Sequence, residues 1–257
     1  MNSNREINIY RSELFNKTGL VKQGFTGRRG GFSSGNYSSL NLSIFTADEP
    51  NRVRKNRQKL CQVLNFNEEA IVQAQQVHGT RIERVSKVPR QLLVADALIT
   101  SQKGLVLMAY FADCLPLFFF DPFKKVIALV HAGWRGTVGK LTTKTIKVLV
   151  EEYQCSPEDL LVDCGPHIGV CHYQVGLEVI SQVEKAFPQD VPLLLNKCKT
   201  GKAYFDLAQA NVIQLLKSGV LRENISLAGL CTFCHSQDFF SHRRGALGRQ
   251  AAFLELL

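Results

Sequence analysis

The feature that most constrains this chain is a pair of apolar, β-rich runs joined by a short polar connection. The runs cover residues 105–120 and 125–131, and the connection reads Asp121-Pro-Phe-Lys124. Because proline at the second position is typical of a type I turn, the pattern predicts an antiparallel hairpin. Cys114 and His131 then lie opposite each other on one face, with Cβ atoms roughly 5 Å apart. A thiol opposite an imidazole is a pair of metal ligands or a nucleophile with its base.

Length and composition favour one globular domain of mixed helices and strands. The 257 residues are 45% hydrophobic, and no repeat, low-complexity segment or long linker divides them. No run approaches the roughly 18 apolar residues of a membrane-spanning helix, and the first residues lack the apolar core of a signal peptide. Eight cysteines are too sparse for a disulfide scaffold. We therefore expect a soluble cytoplasmic protein with reduced thiols, most of which, such as Cys61, Cys155 and Cys198, pack as small hydrophobic side chains.

Apolar periodicity and capping residues predict the remaining elements. Residues 19–46, rich in glycine and serine, are expected to form a loop, and Asp206 is a candidate helix N-cap. Strands are expected at 70–77 and 81–85 as a second hairpin, and at 160–163 and 225–230. Helices are expected at 50–64, 137–153, 176–187, 207–217 and from 246 to the end.

The net charge of +9 points to an anionic partner. The basic residues form separate groups, namely Arg28-Arg29, a helix segment with Arg52, Arg54, Lys55, Arg57 and Lys59, and Arg243-Arg244 with Arg249. Dispersed groups suit an anion-binding pocket at least as well as a nucleic-acid track, and many of them are ordinary solvated surface. Two segments could bind anions: Gly133-Trp-Arg-Gly136, which precedes a predicted helix, and Phe239-Phe-Ser-His-Arg-Arg244, which places aromatic rings beside cations.

A catalytic zinc takes three protein ligands and keeps one position open, so the Cys114/His131 pair lacks one partner. Of the six histidines, His78 is the best candidate, because it ends a predicted strand and Gly79 allows a sharp turn after it. A capping or surface histidine is the alternative interpretation.

A second group of ligand-type residues is less typical. Cys231-Thr-Phe-Cys234 is half of a structural zinc site, and Cys164, His167, Cys171 and His172 could supply the other half. Their spacing matches no common zinc finger, and local packing is the alternative interpretation.

Several motifs together resemble the YfiH-type laccase-domain family, also called multicopper polyphenol oxidoreductases and purine nucleoside phosphorylases. The resemblance covers residues 24 to 257 and leaves 1–23 as an N-terminal segment. It is carried by Gln76-Val-His-Gly79, Ala95-Asp-Ala-Leu-Ile-Thr100, Ala112-Asp-Cys-Leu-Pro116, Val130-His-Ala-Gly-Trp-Arg-Gly-Thr137, Gly165-Pro-His-Ile-Gly169, Tyr173-Gln-Val-Gly176, Cys231-Thr232 and Phe239-Phe-Ser-His-Arg-Arg244, with Tyr37-Ser-Ser-Leu-Asn-Leu42 and Asn56-Arg57 upstream.

The resemblance implies a layered sandwich of mixed β-sheets flanked by helices. It also implies a zinc ion held by His78, Cys114 and His131, and phosphorolysis of adenosine, inosine and methylthioadenosine to free base and sugar 1-phosphate, with adenosine deamination as a side activity. Arg57 and Arg243 are candidate phosphate-binding residues. The sequence departs from the family pattern at Thr46-Ala47-Asp48, Gln174 and His242, none of which is a metal ligand.

Three other functions remain open. A copper-dependent polyphenol oxidase could use the same three ligands, although a multicopper oxidase needs on the order of ten histidines, commonly in His-x-His pairs, and this chain has no such pair. A metal-free cysteine hydrolase would use Cys114 as nucleophile and His131 as base. A zinc-stabilised nucleic-acid binder would use the basic helix. Neither nucleic-acid nor membrane binding is expected of the phosphorylase, whose oligomeric state the sequence leaves undetermined.

Overall fold

The computed structural model describes residues 6–257 and packs two six-stranded β-sheets face to face. The strands are β1 (Ile9–Tyr10), β2 (Val21–Thr26), β3 (Ile71–Gln75), β4 (Ile82–Arg84), β5 (Leu93–Val94), β6 (Ala97–Thr100), β7 (Val106–Phe111), β8 (Leu115–Asp121), β9 (Val126–Ala132), β10 (Leu161–Cys164), β11 (Gln174–Val175), β12 (Leu195–Lys197), β13 (Ala203–Phe205), β14 (Ile225–Leu227) and β15 (Gln250–Leu256). The first sheet has the strand order β1-β2-β15-β7-β3-β5 and the second has the order β14-β10-β8-β9-β6-β4. A third, small sheet has the order β11-β13-β12.

Helices cover the outer faces of the two large sheets, except the first helix, whose Phe15 packs between the sheets. They are α1 (Glu13–Asn16), α2 (Pro50–Leu64), α3 (Trp134–Val138), α4 (Leu141–Tyr153), α5 (Leu177–Ala186), α6 (Val191–Leu194) and α7 (Leu207–Lys217). Leu60 and Leu64 of α2 pack on the first sheet, while α4, α5, α7 and the small sheet pack on the second. Among residues 6–257, no helix is both long enough and apolar enough to cross a membrane.

Alternation along the strands builds this layering. In β8, Leu117 and Phe119 face the helices α4 and α7, whereas Phe118 and Phe120 point between the two large sheets. All seven residues of β8 are buried, which is why its sequence is apolar on both faces. The predicted sandwich of mixed sheets flanked by helices is confirmed.

The opening prediction of one long hairpin is wrong in two respects. The run 105–120 is two strands, because the chain leaves the first sheet after β7 and enters the second at β8. The loop after β8 is also longer than predicted: the Asp121 carboxylate accepts the backbone N–H groups of Phe123 and Lys124, and Asp121 pairs with Val126. His131 therefore lies opposite Pro116, two residues from Cys114. A shift of two residues keeps the side chains on the same face.

The second predicted hairpin does not form. β3 belongs to the first sheet, where it runs parallel to β7, and β4 belongs to the second, where it runs parallel to β6. The chain crosses between the sheets at residues 76–81.

Three of the predicted helices, 50–64, 176–187 and 207–217, match α2, α5 and α7. The Asp206 side chain caps α7 by accepting the Gln209 N–H. The helix at 137–153 is broken into α3 and α4, with Lys140 in the left-handed region at φ +62°. The expected loop 19–46 contains β2, and the strand predicted at 225–230 ends at Leu227.

The predicted C-terminal helix is wrong, because the segment is β15, a central strand between β2 and β7. The proposed boundary between residues 23 and 24 falls inside β2. The expectation that the chain has no export signal depends in part on residues 1–5. These residues lie outside the described part of the structure.

Candidate metal centre

The candidate metal centre lies where three chain crossovers between the large sheets meet. His78 follows β3, Asp96 joins β5 to β6, and Cys114 joins β7 to β8. His131 comes from β9, on the face turned toward the first sheet. The ligand atoms of His78, Cys114 and His131 all lie within 4.8 Å of one another, with 3.9 Å between Cys114 Sγ and His78 Nδ1.

Asp96 connects these crossovers. Its carboxylate accepts the backbone N–H groups of Val77, His78 and Gly79, and it lies 2.8 Å from Nδ1 of His131. This bond leaves Nε2 of His131 for a ligand, an arrangement common around metal-bound histidines. The N–H bonds also hold His78 in the left-handed region, at φ +57°.

The electrostatics favour a thiolate. Burial raises the pKa of the Cys114 thiol, but the imidazoles of His131 and His78 outweigh that effect and leave the pKa well below its usual value. Burial lowers the pKa of His131, but Cys114 and Asp96 outweigh it and raise the pKa. A thiolate is the form of cysteine that binds a metal or attacks an electrophile.

The residues present fit a metal ion. One thiolate and two imidazoles are a typical catalytic zinc set with an open position. Gly133 leaves room beside these ligands because it has no side chain. A Cβ at this position would stand 3.0 Å from Nδ1 of His78 and 3.1 Å from Sγ of Cys114. His131 is buried and His78 exposed, so the group faces solvent on one side.

That side opens into a cavity of about 600 Å³, within the range of small-molecule sites. Polar, aromatic and cationic side chains line it together with the candidate ligands. They include Ser43, Phe45, Thr46, Gln75, Gln76, Tyr110, Asp113, Trp134, Arg135, Tyr173, His242, Arg243 and Arg249.

Three arginines bring positive charge to the cavity. The Arg243 guanidinium donates to the Gln174 carbonyl, and its backbone N–H donates to Asp113. Arg249 donates to two carbonyls of its own loop. Arg135 lies over the Trp134 ring.

Of the two predicted phosphate residues, Arg243 lines the cavity and Arg57 does not. Arg57 extends from α2 to the hydroxyl of Tyr110 and to Gln73, behind the cavity wall.

The second ligand-type group forms apart from this cavity. Cys171, His172, Cys231 and Cys234 come together, and none of them lines the cavity. Two residues that the sequence also suggested as ligands of that group lie elsewhere. Cys164 is buried in β10, and Nδ1 of His167 is hydrogen-bonded to the Gly165 carbonyl.

Sequence reasoning missed Asp96, Gly133 and Arg249 as parts of the site. Asp96 had one usable signal, an acidic residue between the apolar residues Ala95 and Ala97, which on burial needs partners. The space beside Gly133 and the place of Arg249 depend on long-range contacts that no local pattern reports.

Comparison with known proteins gives a consistent result. Residues 22–257 match a family described as multi-copper polyphenol oxidoreductase laccase. The chain is 36% identical to "Purine nucleoside phosphorylase YlmD" of Geobacillus stearothermophilus, over 90% of this chain and 88% of that protein. It is 36% identical to "Purine nucleoside phosphorylase" of Bacteroides thetaiotaomicron, over 85% and 84%. The crystal structure of the hypothetical protein YfiH from Bacillus licheniformis superposes with a TM-score of 0.92 at 30% identity, covering 98% of both chains.

Proposed function

Because this chain belongs to the family described as multi-copper polyphenol oxidoreductase laccase, whose members similar to it include proteins named purine nucleoside phosphorylases, we propose that it is a zinc-dependent purine nucleoside phosphorylase of the cytoplasm. Its substrates are adenosine, inosine and methylthioadenosine, and adenosine deamination is a side activity. The observation that carries the proposal is the group His78, Cys114 and His131 at the base of a cavity with three arginines.

The donor set supports zinc. Cys114 supplies one thiolate, and His78 and His131 supply two imidazoles, with Asp96 fixing the tautomer of His131. A zinc ion held by His78, Cys114 and His131 would supply Lewis-acid charge to a substrate oxygen. Copper(II) binds such sites more tightly than zinc, so a copper ion at the same three residues, with dioxygen as the oxidant, would account for polyphenol oxidation.

The side chains of the cavity suit a nucleoside and a phosphate. In phosphorolysis, an oxygen of hydrogen phosphate forms a bond to the anomeric carbon and the bond from that carbon to the base nitrogen breaks. The base leaves with the proton that the phosphate gives up. Arg243, Arg249 and Arg135 offset the charge of the phosphate. Phe45 and Tyr173 offer aromatic faces to a purine ring.

The test is to incubate zinc-loaded protein with inosine, with and without phosphate. We expect hypoxanthine and ribose 1-phosphate only when phosphate is present, and neither product from Cys114→Ser. Adenosine without phosphate should give slow formation of inosine, and methylthioadenosine should be cleaved only with phosphate. Absence of phosphate-dependent cleavage by a zinc-loaded sample would refute the proposal.

Arg243→Gln should raise the KM for phosphate by about tenfold or more, since a charge-assisted bond contributes roughly 1.5–3 kcal/mol. The backbone N–H that Asp113 holds is retained in this variant. The matched variant Arg57→Gln tests whether Arg57 also contacts phosphate. If it does, the KM of this variant for phosphate should rise as much as that of Arg243→Gln. If Arg57 only supports Tyr110, the thermal stability of the variant should fall and its KM for phosphate should stay the same. Steady-state kinetics at varied phosphate decides between them, and an unchanged KM in Arg243→Gln would contradict the role of Arg243.

Two alternatives are outcomes of the same experiments. Activity that survives chelation would favour a metal-free cysteine hydrolase with Cys114 as nucleophile. Salt-dependent binding to nucleic acid without catalysis would favour the nucleic-acid binder.

A further inference from the structure

A second group of metal-type ligands lies outside the cavity, on two loops distant in sequence. One loop, residues 165–173, carries Cys171 and His172, and the other carries Cys231 and Cys234. The four ligand atoms lie within 4.8 Å of one another. We propose that these residues hold a structural zinc ion with three cysteine ligands and one histidine ligand, in addition to the metal centre of the cavity.

The spacing of the ligand atoms suits a single tetrahedral ion. Sγ of Cys171 and Sγ of Cys234 lie 3.7 Å apart, and Nδ1 of His172 lies 3.2 Å from each of them. With Zn–S bonds of about 2.3 Å, the edge between two sulfurs of a tetrahedron is ~3.8 Å. Soft thiolates with one imidazole select zinc over harder cations.

The backbone around Cys231 is shaped for a charged sulfur. The Gly169 N–H donates to its Sγ at 3.2 Å, and the N–H groups of Phe233 and Cys234 face the same atom. Hydrogen bonds of this kind stabilise a metal-bound thiolate, as second-layer contacts do in metal sites generally. A Cβ on Gly169 would stand 3.3 Å from Sγ of Cys171 and from Cβ of Cys231, so a side chain there would crowd the group.

The imidazole ligand is held in place. His172 stacks on the ring of Phe233, with 4.2 Å between centroids and 19° between planes, and Arg244 lies over the same ring. This stacking leaves Nδ1 directed at the sulfurs of Cys171 and Cys234.

The ion would join the loop 165–173, which forms part of the cavity wall, to the loop that carries Cys231 and Cys234. Thr232 Oγ1 and the Ile168 N–H both donate to Asp113, the residue before Cys114. Ile168 and Tyr173 line the cavity on the other loop. The structural role is therefore to fix the position of that wall relative to Cys114.

Metal analysis of the purified full-length chain tests the proposal. Zinc-loaded protein in which Cys114 is replaced by serine should retain one ion per chain. X-ray absorption at the zinc edge should then show three sulfurs at about 2.3 Å and one nitrogen at about 2.0 Å. His78→Ala, at an exposed position, serves the same purpose if the serine variant misfolds.

Adding Cys171→Ser to either background should remove that ion and lower the thermal midpoint. Adding Cys198→Ser, a cysteine outside both groups, should change neither. The metal content is measured after a ligand of the cavity has been removed. A negative result for the structural zinc ion is therefore distinguishable from a negative result for the proposed phosphorylase activity.

Two results would overturn the proposal. One is the same metal content with and without Cys171. The other is a Cys171–Cys234 disulfide in the protein as purified under reducing conditions, detected by alkylation and mass spectrometry. Cobalt(II) substitution gives an independent check, since a site with three thiolates should give a strong sulfur-to-cobalt charge-transfer band in the Cys114→Ser background.

Discussion

Much of the candidate metal centre depends on one residue, Asp96. It holds the crossover after β3 through three backbone N–H groups and orients His131 through Nδ1. Burial raises the pKa of Asp96, but His131 and the backbone N–H groups outweigh it and lower the pKa. The ionised carboxylate therefore positions two of the three proposed ligands.

Asp96→Asn should lower zinc affinity by about 10–100-fold, because an amide presents N–H groups where the carboxylate accepted them. The measurement is competition with a chelator of known affinity. Glu69→Gln, an exposed carboxylate before the opposite end of β3, is the control and should leave the affinity unchanged. Equal affinity in Asp96→Asn and the original protein would contradict the positioning role.

Gly133→Ala should lower zinc affinity by about tenfold, the lower end of the range for disturbed metal environments. Its φ of −75° suits alanine, so the effect comes from the Cβ near His78 and Cys114 and not from backbone strain. Gly79→Ala is the matched control, because its Cβ would meet only ordinary contacts of 3.5 Å and longer. The same chelator competition compares the two, and an equal loss in both variants would argue against crowding at Gly133.

At the scale of elements, a buried polar network on β10 connects the two large sheets. Asp163 accepts hydrogen bonds from Tyr10 on β1, Gln23 on β2 and Ser226 on β14. These hydrogen bonds lower the pKa of Asp163, but burial outweighs them and raises the pKa to about 6.

This pKa predicts a pH dependence of stability. Between about pH 4 and 6 the folded chain binds more protons at Asp163 than the unfolded chain does, so its contribution is present below pH 4 and is lost as pH rises through 6. The difference in free energy of unfolding between the original protein and Asp163→Asn should shift by about 2 kcal/mol from pH 4.5 to 7.5, in favour of the variant. Urea unfolding at both pH values measures it, with Glu158→Gln as the control, and a constant difference would contradict the raised pKa.

Elements that local patterns specify were predicted well. α2 and α7 have amphipathic faces and local start signals, Pro50 at the first turn and Asp206 as the N-cap. β15 was mistaken for a helix because alanine, leucine and glutamate favour helices. Its position between β2 and β7 supplies backbone partners on both sides, and this long-range pairing outweighs the local propensity.

In the molecule as a whole, the packing between the two large sheets sets the geometry of the candidate metal centre. Phe118 and Phe120 from β8 meet Phe25, Leu107 and Leu254 of the first sheet in this layer. The crossovers that carry His78 and Cys114 are anchored at its edge, so the stability of the layer and the shape of the site are linked.

Phe118→Ala should lower the free energy of unfolding by about 3–5 kcal/mol, because it opens a cavity in this layer. Phe123→Ala, in the loop after the same strand, is the matched control: Phe123 is 73% exposed, and its loss should change stability by no more than about 0.5 kcal/mol. Denaturant unfolding of both variants provides the measurement, and similar losses would contradict the assignment of the layer as the core.

The amino-acid sequence alone predicts the candidate ligands of the cavity, the mixed strands and helices, and the family resemblance that the comparisons confirm. These properties depend on residue types, local spacing and motifs. Tertiary contacts set the strand register beside Cys114, the crossovers that bring Asp96 to His131, the place of Arg57 behind the cavity wall, and the proximity of Cys171 to Cys231. Each of these depends on contacts between residues far apart in the chain, where packing and backbone pairing between whole sheets outweigh the preferences of any short segment.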